Sequence, residues 1–131
     1  MSALSSSPSL EGWRVLVAED EWFLAVEMEE ALRGLQATVV GPVPSVAEAL
    51  RLIEAGPRPD VALLDVNLGG EMVYPVVDRL LAEGVPVILT TGYAERDLPA
   101  RYAHLPRLEK PMEVAQMVRE VGQALGQAAE R

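Results

Sequence analysis

The chain has 131 residues, half of them hydrophobic, with a formal net charge of −9 and no cysteine. The acidic balance argues against a nucleic-acid surface, which needs clustered Lys and Arg. The lack of cysteine excludes disulfides and thiolate metal sites. No apolar stretch approaches the roughly 20 residues of a membrane span. We expect one cytoplasmic domain over residues 13–131, after a flexible leader over residues 1–12 that lacks signal-peptide features.

Five short apolar runs alternate with segments of helical periodicity. Uninterrupted apolar runs are typical of parallel strands that helices cover on both faces. This alternation predicts a parallel α/β sheet with right-handed crossovers. The predicted strands are 14–18, 37–41, 61–65, 85–91 and 107–110.

The sequence marks the intervening helices with unequal clarity. Ser45, with Glu48 three residues later, forms a capping-box signature for the second helix. Pro75 is tolerated only in the first turn of the third helix. Pro99 interrupts segment 92–106, where we expect a short or mobile helix. The first helix is expected to bury Leu24, Met28, Ala31 and Leu35, and the last to bury Val114, Met117, Val118, Val121 and Leu125.

Polar side chains follow four of the predicted strands. Glu19 and Asp20 end the first strand, Asp65 the third, Thr91 the fourth and Lys110 the fifth. The carboxyl ends of parallel strands share one edge, so these groups should converge where ligands of open α/β sheets bind. Two like charges about 4 Å apart repel by roughly 4 kcal/mol at an effective dielectric near 20, so a cation is expected. Carboxylates without imidazole or thiolate favour Mg²⁺, or Mn²⁺, over Zn²⁺.

A phosphoryl group transferred to Asp65 would suit this edge. Its charge is spread over three oxygens, so catalysis is mostly positioning and neutralisation. The metal would hold one oxygen, Lys110 another and the Thr91 hydroxyl a third. The sequence therefore favours phosphate acceptance at Asp65.

Four motifs, in chain order, resemble those of receiver domains of two-component response regulators. They are VLVAEDE, DVALLDVNLGG, the TG after the fourth strand and LEKP. The resemblance runs from Arg14 to about Leu125 and implies a flavodoxin-like, doubly wound (βα)5 fold with sheet order 2-1-3-4-5. It implies a signalling phosphoacceptor rather than an enzyme with external substrates. The donor would be a sensor histidine kinase or a histidine phosphotransfer protein, and the output would be protein–protein interaction by a monomer or weak dimer.

The same resemblance implies a role for each residue of the site. The implied roles are Asp65 as phosphoacceptor, Asp20 as direct metal ligand, Glu19 as ligand through water, the Asn67 backbone carbonyl as a further ligand, Thr91 as switch hydroxyl and Lys110 as phosphate partner. The Lys110–Pro111 bond would be cis.

One departure concerns Arg107, which stands where receivers ordinarily carry Tyr or Phe. A switch from hydroxyl to aromatic through that position is therefore not available. PVILTTGY, LGGE and the missing aromatic instead resemble the receiver subgroup nicknamed FAT GUY, often found alone, although Leu89-Thr90 replace its Phe-Ala. We expect a stand-alone receiver.

Three further side chains bear on signalling and partner contact. Tyr93 is a candidate for part of the missing aromatic role. Trp22 either packs in or beside the core, or contacts a partner, since Trp is enriched at interface hot spots. His104, the sole histidine, is expected at the surface, which gives a phosphohistidine relay within this chain little support.

Two rival functions belong to other classes. A haloacid-dehalogenase-type phosphohydrolase also uses a strand-end Asp, but its motif is Asp-x-Asp and this chain has Asp65-Val66-Asn67. A receiver-shaped binding module would work without phosphorylation. The intact acid pair, Asp65 and Lys110 count against that second rival.

Overall fold

The computed structural model describes residues 9–92 and 97–129. Five parallel strands form the main sheet in the order β2-β1-β3-β6-β7, and β4 and β5 form a small antiparallel hairpin. The strands are β1 (Arg14–Ala18), β2 (Thr38–Val43), β3 (Val61–Asp65), β4 (Asn67–Leu68), β5 (Glu71–Met72), β6 (Val87–Thr91) and β7 (Arg107–Glu109). The predicted doubly wound fold and its strand order are confirmed.

Within the described residues, four α-helices cover the two faces of this sheet. The helices are α1 (Trp22–Gly34), α2 (Val46–Ala55), α3 (Tyr74–Ala82) and α4 (Val114–Ala129). One core lies between the sheet and α2 with α3, and the other lies between the sheet and α1 with α4. Every residue of β3 and β6 is buried, as a strand covered on both faces requires.

Local signals place two of the helices correctly. Ser45 is the N-cap of α2, and its hydroxyl oxygen accepts the Glu48 N–H at 3.2 Å and lies 3.1 Å from the Glu48 carboxylate. The bond from the Glu48 N–H is the N-cap contact of the predicted capping box, and the Glu48 carboxylate in turn accepts from the Ser45 hydroxyl. Pro75 lies in the first turn of α3, where its missing N–H costs no helical hydrogen bond.

The predicted buried face of α1 is confirmed at Met28 and is wrong by one position elsewhere. Ala25, Met28 and Leu32 are buried, whereas Leu24, Ala31 and Leu35 are only partly buried. Two apolar stripes lie side by side on this helix. Its packing against β2 and α4 selects the stripe containing the small Ala25, a tertiary choice that periodicity does not encode.

Strand β2 continues two residues past the predicted end at Gly41. Its register with β1 shifts between Leu16 and Ala18, and the Gly41–Pro42 bond is cis. Gly41 has a φ of +95°, and a Cβ there would lie 2.8 Å from the Val17 carbonyl oxygen. Only glycine fits this close approach without strain.

The predicted short helix between β6 and β7 is a single 3₁₀ turn at Ala100–Tyr102 within the part of this segment that the structure describes. Tyr102 is buried, its ring stacks on Tyr74 at 4.8 Å, and its hydroxyl donates to Asp78 Oδ1 at 2.7 Å. These contacts attach the turn to α3. Tyr93 lies outside the described residues.

The packed part of the chain begins earlier than residue 13. Leu10 is 3% exposed, and its N–H donates to the Leu35 carbonyl at 2.7 Å. Leu10 therefore packs with the domain, although the sequence assigned it to a flexible leader. Among residues 9–92 and 97–129, no helix has the length and apolar character to cross a membrane.

Candidate functional site

Three charged side chains from three strands meet at the carboxyl edge of the sheet. Asp65 ends β3, Glu19 directly follows β1, and Lys110 directly follows β7. Lys110 Nζ lies 2.8 Å from Asp65 Oδ2 and 3.1 Å from the Glu19 carboxylate. Glu19 and Asp65 are 2% and 4% exposed. The structure thus brings together the acids and the ammonium that the strand ends placed at one edge.

Strand alternation explains why these side chains meet. Successive residues of a strand point to opposite faces of the sheet. Val15 and Val17 of β1 and Val61 and Leu63 of β3 pack on the α1–α4 side. Two residues further along each strand, Glu19 and Asp65 point to that same side.

Asp20 completes an acidic cluster at the surface. One oxygen from each of Glu19, Asp20 and Asp65 can be chosen so that all three lie within 4.8 Å of one another. Asp20 is exposed, and its Oδ2 accepts the Gly69 N–H at 2.8 Å. Glu19 Oε1 is buried and makes no hydrogen bond in the described part of the chain, although it lies 3.1 Å from Lys110 Nζ. These carboxylates fit a hard cation, because such ions take oxygen ligands.

The turn between β4 and β5 holds the loop that follows Asp65. The Asn67 N–H donates to Asp65 Oδ1 at 3.1 Å, and the Asn67 side-chain oxygen accepts the Gly70 N–H at 2.7 Å. Gly69 and Gly70 have φ values of +61° and +95°, which side-chain-bearing residues rarely adopt. The Asn67 carbonyl as a metal ligand stays a prediction.

Comparison with known proteins identifies the family. No family model matches the chain. The solution structure of SdrG from Sphingomonas melonis Fr1 is 36% identical, with a TM-score of 0.75, over 86% of this chain and 96% of that chain. The PhyR response regulator REC domain of Erythrobacter litoralis is 28% identical, with a TM-score of 0.74, over 90% of this chain and 91% of that one.

This chain belongs to the response-regulator receiver family. PhyR of Methylorubrum extorquens is 32% identical over 114 residues, which are 85% of this receiver and 43% of that protein. The receiver therefore spans less than half the length of this curated relative. Its resemblance to receiver motifs, predicted from the sequence, is confirmed.

Burial dominates the electrostatics of the receiver's site. Burial raises the pKa of Glu19 to about 7, against the opposing effects of the Glu21 N–H and of Lys110. Burial also raises the pKa of Asp65, although the hydrogen bond and charge of Lys110 offset part of this effect. Burial alone would lower the pKa of Lys110, but the hydrogen bonds and charges of both acids outweigh it and raise that pKa.

Two adjacent threonines end β6 in the receiver. Thr91, the predicted switch hydroxyl, is 1% exposed, and its carbonyl accepts the Lys110 N–H at 2.8 Å. Alternation places Thr91 with Val87 and Leu89 on the α2–α3 side. Thr90 is also buried and points to the Asp65 side. The sequence analysis did not name Thr90, although a second hydroxyl residue directly before Thr91 at the end of a strand could have indicated it.

Three of the remaining residues singled out in the sequence are exposed. Trp22 is 68% exposed and packs edge-on against the exposed Phe23, with ring centroids 5.1 Å apart. Core packing of Trp22 is therefore wrong, and partner contact stays a prediction. Arg107 is exposed at the start of β7, and His104 is exposed as expected.

Proposed function

We propose that this receiver accepts a phosphoryl group on Asp65 from a histidine kinase or a histidine phosphotransfer protein. The observation that carries the proposal is the buried Asp65 carboxylate with the Lys110 ammonium 2.8 Å away. A cation so placed can neutralise the negative charge of an incoming phosphoryl group. Family membership supports a regulatory role for this geometry.

The chemistry is an in-line transfer between two side chains. An Asp65 oxygen attacks the phosphorus of the phosphohistidine, the P–N bond breaks, and its electron pair stays on the imidazole. The Lys110 ammonium turns from Asp65 to a phosphoryl oxygen, and the Thr91 hydroxyl turns from the α2–α3 side to contact another. Mg²⁺ or Mn²⁺, held by Glu19, Asp20, Asp65 and the Asn67 carbonyl, would supply further charge neutralisation.

Signalling would follow from the movement of Thr91 and Lys110. Their displacement toward the phosphoryl group would shift residues 97–106 between two arrangements. Arg107 replaces the usual aromatic, so the signal would leave by another route. Tyr93 stays a candidate for that route.

The phosphodonor would dock over the start of α1. Phe23 and Leu24 line a groove together with Lys110 and Pro111, directly beside the site. Trp22 adds a second exposed ring at the rim of this groove. Large exposed aromatic side chains are common anchors of protein interfaces.

The cytoplasmic location, stand-alone role and monomer or weak-dimer state stay predictions.

Small phosphodonors test the proposal without a cognate kinase. Radiolabelled acetyl phosphate with Mg²⁺ is expected to label the wild type but not Asp65→Asn. Asp97→Asn is the matched control, because Asp97 is exposed. Equal labelling of Asp65→Asn and wild type would reject Asp65 as acceptor. Sustained turnover of external phosphate esters would favour the phosphohydrolase, and no labelling with Mg²⁺ bound would favour the binding module.

A further inference from the structure

Thr90 has a buried hydroxyl without a hydrogen-bond partner in the part of the chain that the structure describes. Its Oγ1 makes no hydrogen bond within residues 9–92 and 97–129, and the residue is 1% exposed. Leaving a buried hydroxyl unpaired typically costs about 1–3 kcal/mol. Such a group in a folded protein calls for an explanation, and one explanation is a partner in another state of the site.

The sheet places this hydroxyl beside the acceptor. Thr90 and Asp65 are paired residues of the neighbouring parallel strands β6 and β3. Neighbouring strands lie about 4.8 Å apart. Ile88 and Leu63, which lie two residues earlier in the same strands, pack in one core on the α1–α4 side. Because side chains alternate along a strand, Thr90 and Asp65 point to that side as well.

Both acceptor oxygens already have donors in this state. Asp65 Oδ1 accepts the Asn67 N–H at 3.1 Å, and Oδ2 accepts from Lys110 at 2.8 Å. A carboxylate offers about four acceptor sites, so each Asp65 oxygen can accept a second donor. Once Lys110 turns toward a phosphoryl group, the Asp65 oxygen bonded to phosphorus loses that donor.

Resting on the proposed phosphoacceptor function, we propose that the Thr90 hydroxyl donates a hydrogen bond to the reacting Asp65 oxygen during phosphoryl transfer. In hydrolysis, a water oxygen bonds to phosphorus, the bond from phosphorus to Asp65 breaks, and its electron pair returns to the carboxylate. The water proton leaves with the phosphate. A donor that is unpaired in the ground state and paired in the transition state accelerates both the phosphorylation of Asp65 and the hydrolysis of its phosphate.

Thr90→Val tests this inference because it removes the hydroxyl and keeps the shape. We expect the Tm of the unphosphorylated protein to rise by about 4 °C, because an unpaired buried group is removed. Labelling by acetyl phosphate and loss of the label should both slow by about tenfold. Thr90→Ser should restore both rates. Thr38→Val is the control, since Thr38 is exposed at the opposite end of the sheet, paired with Arg14.

Three results would overturn the inference. Wild-type rates in Thr90→Val would show that the hydroxyl takes no part in transfer. A lower Tm in that variant would show that the hydroxyl already has a partner in the free protein. Slow rates in Thr90→Ser would assign the defect to packing. Equal labelling of Asp65→Asn and wild type would instead reject the proposed function itself, and the inference with it.

Discussion

The Lys110 ammonium lies 2.8 Å from the Asp65 carboxylate, at the centre of the receiver's site. It also lies 3.1 Å from Glu19, so one cation compensates two buried acids. Removing one partner of a buried ion pair leaves the other charge buried and uncompensated. This lowers the stability of the folded state more than replacing both partners with apolar residues does.

Lys110→Met should therefore lower both stability and phosphotransfer. We expect the free energy of unfolding to fall by about 3 kcal/mol near neutral pH. The deficit should shrink in acid, where Glu19 and Asp65 bind protons. Urea denaturation at two pH values measures this change, and Arg119→Met, at an exposed site on α4, is the control. A pH-independent deficit would contradict the charge explanation.

Mg²⁺ should stabilise the receiver through its acidic cluster. A ligand present at about ten times its Kd adds roughly 1.4 kcal/mol to the stability of the folded state. Thermal unfolding with and without millimolar Mg²⁺ should show a rise in Tm for wild type and none for Asp20→Asn. Glu30→Gln, an exposed change on α1, should retain the full shift. An unchanged wild-type Tm would argue against a metal site.

Glu19 should make the stability of the metal-free protein depend on pH. Burial raises its pKa from 4.5 to about 7, so the folded state holds this proton more tightly than the unfolded chain. The contribution of this proton to the free energy of unfolding is fully present below about pH 4.5 and is lost as the pH rises toward 7.

Denaturation in EDTA tests this linkage. The wild type should lose on the order of 2 kcal/mol relative to Glu19→Gln between about pH 5 and 7.5. Glu120→Gln, on α4, controls for a change of net charge. Parallel stability curves for wild type and Glu19→Gln would contradict a raised pKa for Glu19.

Gly41→Ala should destabilise the fold strongly. The added Cβ would lie 2.8 Å from the Val17 carbonyl oxygen and 2.9 Å from the Val43 nitrogen, at a φ of +95°. We expect a loss of about 2–4 kcal/mol in urea denaturation. Gly34→Ala is the matched control, because a Cβ there meets nothing within 4 Å. Equal effects of the two changes would contradict the steric explanation.

Strand ends were the most informative part of the sequence. Asp65, Glu19 and Lys110 follow strands whose apolar character is unambiguous, and parallel topology alone brings them to one edge. Their distances and the resulting pKa of Glu19 depend on side-chain packing, which sequence patterns do not specify.

Other features depend on tertiary packing, which the sequence patterns do not specify. The buried stripe of α1, with Ala25 rather than Leu24, depends on how that helix sits on the sheet. The burial of Leu10 depends on the distant Leu35 carbonyl. The missing hydrogen bond of the Thr90 hydroxyl can be recognised only in the folded structure, where the nearby donors and acceptors have defined positions.

The central claim is that Asp65 carries the phosphoryl group, and chemical trapping tests it most directly. Borohydride reduces an aspartyl phosphate to homoserine, which peptide mass spectrometry locates. After incubation with acetyl phosphate and Mg²⁺, homoserine is expected at position 65 of the wild type. Homoserine at another position, or none in protein that carries the label, would contradict the assignment of Asp65.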